Sequence, residues 1–393
     1  MPVPASLLIP IIYLTFIGLG LPDSVLGVAW PSMRASLGSP LEAAGLISVV
    51  LTSCAAVASV SSGLATRRFG PGPVVLASLL LTATGLLGYS LSPSYLWVLL
   101  SALPIGLGSG AIDSTLNGYM ASQHSSRHMN WLHASWGIGA TTGPLVMTAA
   151  MAGGGSWRRG YLEISCFQAS LALLFLLSLG LWRRVGAGVA APEAAADEGE
   201  EGGAEGRIHG LGRPEPWIQV GMYALYAACE FTAGIWTVSM LVESRGMPPE
   251  IAGKWISLYY GGIMGGRVLT GLVADRLGNR TMVRIGLAIA AAGSVLIIVR
   301  GANFLALPGL LLLGMGLAPI YPCLMHETPK RFDKETYRAV IGFQIGAACV
   351  GGSVLPGLVG LLASASGLEV VGPCVAVFIV LLAGLGELLN ARS

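Results

Sequence analysis

The stretch GLVADRLGNR, residues 271–280, decides the fold, because a shadow of it stands earlier in the chain. In GLATRRFG, residues 63–70, Gly63, Arg68 and Gly70 precede Gly271, Arg276 and Gly278 by 208 positions. Working outward, Gly106 and Gly108 recur as Gly314 and Gly316 at the same offset, and Asp23 with Gly27 recurs as Glu230 with Gly234 at 207. Three groups at spacings of 207 to 208 mark an internal repeat of about half the chain. The sequence is therefore two copies of one unit.

The solvent of those units follows from composition. Of 393 residues 54% are hydrophobic and 11% charged, with 56 glycines and a mean hydropathy of +0.72. A chain this apolar needs lipid around it. The net charge of +2 and the scattered Lys and Arg argue against nucleic acid as a partner. Cys54, Cys166, Cys229, Cys323, Cys349 and Cys374 stand singly in apolar surroundings, without CxxC or CxxH spacing, so no metal or redox site and no cofactor is expected. The N-terminal MPVPASLLIPIIYLTF reads as a retained first helix, not a signal peptide.

A helix crosses the hydrocarbon with about 20 largely apolar residues. Twelve such runs are expected: 7–30, 41–65, 73–91, 95–120, 130–152, 161–182, 216–241, 250–273, 282–300, 303–325, 337–362 and 367–389. The longest break contains GAGVAAPEAAADEGEEGGAEG, acidic and unable to bury apolar surface. The expected organisation is a six-helix bundle over 1–182, a cytoplasmic acidic linker over 183–215 and a second six-helix bundle over 216–393. With both termini and the linker in the cytoplasm, fifteen of the 22 Lys and Arg fall on cytoplasmic segments. Six fall outside and Arg267 lies within a helix, which sets the orientation by the positive-inside rule.

An ionisable side chain at mid-bilayer costs about 2.5–3.5 kcal/mol on insertion scales, so it persists where it meets a cavity or a partner. Three carboxylates lie deep in expected helices: Asp23, Asp113 and Glu230. Asp23 shares a helix face with Gly20, Gly27 and Trp30, beside Pro22, and that face is expected to line a cavity. Asp113 shares one with Gly106, Gly110 and Asn117, read as a small-residue groove ending in a carboxylate and an amide able to hold vicinal hydroxyls. Glu230 lies with Tyr223, Tyr226, Gly234 and Thr237. Trp236, Tyr260 and Tyr321 offer further rings on which a sugar can stack. His133 and Trp136 stand one turn apart, and Gln344 falls 208 residues after Trp136. Arg267 is expected to pair with Glu230, since an unpaired guanidinium there is costly.

The pattern Gly271, Asp275, Arg276, Gly278, Arg280 resembles the signature of the major facilitator superfamily, GxxxDRxG followed by basic residues. The first-half copy departs from it with Arg67 at the acidic position. The resemblance implies twelve transmembrane helices in two pseudo-symmetric bundles, with this motif gating the cytoplasmic side. Within that superfamily, LPDSVLGVAWP (21–31), GLGSGAIDSTLNGYM (106–120) and NWLHASWGIGATTGP (130–144) resemble the fucose/glucose/galactose proton symporters. There an acidic residue in helix 1 and another in helix 4, followed four residues later by Asn, serve sugar binding and proton coupling. Asp23, Asp113 and Asn117 match those positions. Here helix 4 carries Asp in place of Glu, and Gly118 follows the Asn in place of Pro.

The expected function is thus proton-coupled uptake of a small polar solute, a monosaccharide first, by alternating access in a bacterial-type inner membrane. Protons and one small molecule are the partners, and the resemblance implies a monomer. The proton-coupling candidates are Asp23, Asp113 and Glu230. A proton-driven exporter of drugs or metabolites is the alternative on the same fold, and a non-transporting membrane sensor is the second. No nucleophile, metal cluster or phosphate loop suggests an enzyme.

Overall fold

The computed structural model describes residues 8–124, 126–186 and 209–392. The acidic stretch 187–208 of the expected linker, and the side chain of Asp275, lie outside what is described. Every element within it is helical: α1 Ile9–Asp23, α2 Leu26–Leu37, α3 Ala43–Phe69, α4 Pro71–Ser90, α5 Tyr95–Gln123, α6 Ser126–Met151 and α7 Trp157–Gly186. Then follow α8 Pro214–Ser239, α9 Pro249–Leu277, α10 Asn279–Ile298, α11 Ala306–Leu317, α12 Ile320–Arg331, α13 Lys334–Ser366 and α14 Val371–Arg392.

Twelve expected runs become fourteen helices because two of them break. The first splits at Ser24–Val25, where α1 and α2 bend by 43°. Pro22 explains the weakness, for it has no N–H to give the carbonyl of Gly18. That carbonyl takes a replacement donor, the Gln168 amide of α7, at 2.8 Å. The tenth run splits into α11 and α12 around Ala318 and Pro319. Among the described residues, nine helical segments are long and apolar enough to cross a membrane, ten with the bent α1–α2 pair. The two long helices outside that set are α6 and α9, of 26 and 29 residues. Their polar content, including His133, Trp136 and Arg267, sets them apart.

By contact the chain divides into two compact units, Met1–Ala194 with Gly246–Ser257, and Ala195–Arg245 with Leu258–Ser393. In unit 1, α5 packs between α3 and α4, α4 meets α7, and α1 lies along α6. The first turns of α9 also join it, with the Ser257 hydroxyl donating to the Thr141 carbonyl and Gly253 facing Thr148. In unit 2, α8 packs on α13 and α14, and α10 on α11.

Glycines write the repeat into the packing. A β-carbon on Gly106 would strike the Leu51 carbonyl, and one on Gly314 would strike that of Tyr259, 208 positions on. Gly108 faces Ser78 and Thr82, and Gly316 faces Gly286 and Ala290, again 208 apart. Gly85 against Ser101 and Ile105 is matched by Gly293 against Gly309 and Leu313. Backbones that touch without side chains between them are how helices gain contact where lipid supplies no hydrophobic drive.

The glycines of the signature motif do different things. Gly63 and Gly271 have open space where a side chain would go, so neither is there for close packing. The demanding position is the last: Gly70 and Gly278 turn α3 into α4 and α9 into α10 at φ +83° and +75°. Only glycine holds that conformation without strain.

Candidate functional site

In unit 1 the site is built on the α1–α6 seam. Gly20 lies against the Trp136 carbonyl, and Gly139 and Gly143 lie against the carbonyls of Ile17 and Leu21, so the two backbones touch. That closeness lets the Trp136 indole, one turn along, donate from Nε1 to Asp23 Oδ2 at 2.9 Å. Asp23 nonetheless remains exposed. Nearby, exposed His133 sets the edge of its ring against Phe16, with centroids 6.2 Å apart. Two expectations for the Asp23 face need correction: Gly20 is filled by α6 backbone, and Trp30 is fully buried, its indole bonded to the Leu41 carbonyl at 2.9 Å.

On α5, Asp113 is exposed and accepts a hydrogen bond from Asn117 Nδ2 at 2.9 Å. The pair one turn apart is therefore formed. The groove expected to lead to it is not, since Gly106 and Gly110 are closed by the α3 backbone at Leu51 and Ala55. Asn117 Oδ1 is enclosed and has no hydrogen-bond partner, an uncommon state for a buried amide and one that calls for a reason.

In unit 2 a second cluster surrounds Glu230. Arg267 Nη2 donates to the Tyr226 hydroxyl at 3.4 Å, and Glu230 lies close enough to act on both electrostatically. Arg267 and its expected partner Glu230 thus share one cluster, in which the guanidinium is bonded to a phenol. Opposite charges gathered in this way keep a guanidinium tolerable inside the bundle. Tyr321 packs its ring 5.7 Å from Tyr226 and 5.0 Å from Tyr223, and Tyr259 donates to the Glu230 carbonyl at 3.1 Å. Buried Tyr260 presses its hydroxyl on Gly234 and its ring 5.1 Å from Tyr259.

Two expected ligand contacts are enclosed instead. Trp236 is fully buried, donates to the Pro356 carbonyl at 2.8 Å and abuts Gly360. Gln344 is fully buried and bonds Thr328, which also receives Gln219 Nε2 at 2.7 Å. Both tie helices together. At the motif end of this unit, Gly278 makes the turn, Arg276 is exposed, and Arg280 Nε reaches Glu327 Oε2 at 3.5 Å. Asn279 donates to the same carboxylate at 2.9 Å.

Sequence reasoning missed Gln168, Tyr13 and His128. Gln168 had a readable signal, since Pro22 leaves the carbonyl four residues earlier without a donor. Tyr13 Oη and His128 Nδ1 meet at 2.8 Å across 115 residues, a pairing no local pattern announces.

Repeated membrane-crossing units with carboxylates set within their spans define a solute carrier. The chain belongs to the major facilitator superfamily, whose family model matches residues 12–356. Its fold is similar to that of a bacterial homologue of the human lysosomal transporter Spinster in an inward-facing, occupied conformation. The TM-score is 0.80 at 12% identity, covering 98% of this chain and 97% of that one. A mutant of the nucleoside transporter NupG is similar at TM-score 0.75 and 13% identity, covering 97% and 98%.

Proposed function

We propose that this secondary transporter couples uptake of a small polyhydroxylated solute, a monosaccharide first, to inward proton movement. The Asp113–Asn117 pair carries the reading. An exposed carboxylate deep in α5, held by a neutral amide, keeps a charge that a proton can remove as access alternates. The enclosed, unpartnered Asn117 Oδ1 suits a hydroxyl donor on the solute. Asp23, steadied by the Trp136 indole, is the second acceptor in the same unit. Glu230 remains a coupling candidate, in the same cluster as the Tyr226–Arg267 pair. Because solute and proton would meet at one group, each changes the affinity of the other by the same factor.

Purified protein in lightly buffered proteoliposomes, given hexoses, pentoses, deoxysugars and nucleosides one at a time, tests this. Nucleosides belong in the panel because NupG shares the fold and ribose carries vicinal hydroxyls. External alkalinisation with one solute, lost in Asp113→Asn, is the expected result. Wild-type accumulation and pH dependence in Asp113→Asn would remove Asp113 from the coupling step. Silence across the panel would shift the weight to proton-driven export.

A further inference from the structure

Unit 1 holds a histidine pair that the transport site does not use. His124 closes α5 with an extended backbone, and His128 lies in the first turn of α6. Their ring centres are 5.4 Å apart with planes at 62°. His128 Nδ1 is engaged by the Tyr13 hydroxyl of α1 at 2.8 Å. His124 Nε2 is enclosed and has no hydrogen-bond partner.

We propose that His124 and His128 together bind one borderline divalent cation of the Zn2+ type through their Nε2 atoms, with water completing the coordination. The spacing fits, because two imidazoles on one tetrahedral ion with bonds of about 2.0 Å hold their ring centres about 5 Å apart. The outer contact fits as well. Metal-bound histidines generally donate their other ring N–H to an oxygen, which fixes the tautomer and aims the lone pair, and Tyr13 Oη is in place to accept it in the Nδ1-protonated tautomer of His128. Imidazole nitrogen selects zinc, copper or nickel over magnesium or calcium.

No set of three or more His, Cys, Asp or Glu suited to a metal gathers among the described residues, so this is an open two-imidazole site, not a closed structural one. Around the pair stand Tyr13 of α1, Tyr119 of α5, Trp131 of α6 and, behind Tyr119, Trp182 of α7. The side chains of residues 125–127 lie outside those described. A bound ion would tie the end of α5 to the start of α6, with Tyr13 drawing in α1.

The test is a calorimetric titration of Zn2+ alone into the full chain in detergent near neutral pH, without a polyhistidine tag. One equivalent bound by the wild type, and lost in both His124→Asn and His128→Asn, is expected. Tyr13→Phe should weaken binding about 10-fold, the usual cost of losing an outer-shell partner. His326→Asn, on α12 in the other unit, should leave it unchanged. Where an Asn variant elutes poorly, His124→Gln or His128→Gln replaces it, and a Zn2+-dependent rise in the wild-type unfolding temperature, reversed by chelator, gives a second readout. No binding by the wild type, or wild-type binding in either single histidine variant, overturns the site.

Discussion

At the scale of single residues, the α1 break shows how one missing donor recruits a distant side chain. Pro22 leaves the Gly18 carbonyl open and Gln168 fills it, fully buried. Replacing Gln168 with Leu keeps the bulk and abandons that carbonyl. The expected loss is about 1–3 kcal/mol, the desolvation cost of a buried polar group left alone. A lower thermal midpoint of the detergent-purified variant would show it; an unchanged midpoint would mean water reaches Gly18. Trp136→Phe works differently, since the Gly20 contact is to the Trp136 backbone carbonyl, and the donor to Asp23 disappears while a ring remains. The variant should assemble normally, with an altered pH dependence of uptake if Asp23 takes part in coupling. Asp23 and Trp136 were each legible in the sequence from helical position and residue type. Their contact was not, because it depends on the rotation of α6 about its own axis against α1, which glycines set and hydropathy does not record.

At the scale of helices, the sequence repeat became pairs of matching contacts, and this supplies an internal control. Gly108→Val and Gly316→Val place branched side chains against equivalent backbone, Ser78–Thr82 in one unit and Gly286–Ala290 in the other. Each should cost about 1–3 kcal/mol or more through forced separation of helices. Gly271→Ala, with open space at that position, should instead raise stability by about 0.5–1 kcal/mol by relieving a glycine inside α9. Thermal unfolding of the three variants compares these signs directly. A tolerated Gly316→Val would break the equivalence. Helix number and the repeat were readable because apolar length and recurring glycines are local, countable signals. The functions of individual glycines were not, and Gly20, Gly106 and Gly110 were misjudged for one reason. A small residue on a helix face can open a groove, admit a neighbouring backbone or face empty space, and the sequence is the same in all three cases.

At the scale of the whole molecule, the asymmetry of basic residues makes a prediction about orientation. Fifteen Lys and Arg sit on the segments assigned to the cytoplasm and six on the opposite side. Retaining a cationic loop on the cytoplasmic face is favoured while acidic residues contribute little, so the acidic stretch around residue 195 does not oppose the assignment. That stretch, beside Arg183 and Arg184, should share a side with both termini. Ala195→Cys, in a background with the six native cysteines replaced, reports it through a membrane-impermeant maleimide. Right-side-out cells should leave the thiol unlabelled, and inverted vesicles should label it. The same reagent on a cysteine at Gly301, between α10 and α11, should give the reverse pattern, because α8, α9 and α10 carry the chain across three times after the linker. Labelling of Ala195→Cys from the cell exterior would invert the orientation, and proton entry would then have to be assigned from the opposite face of the same carboxylates.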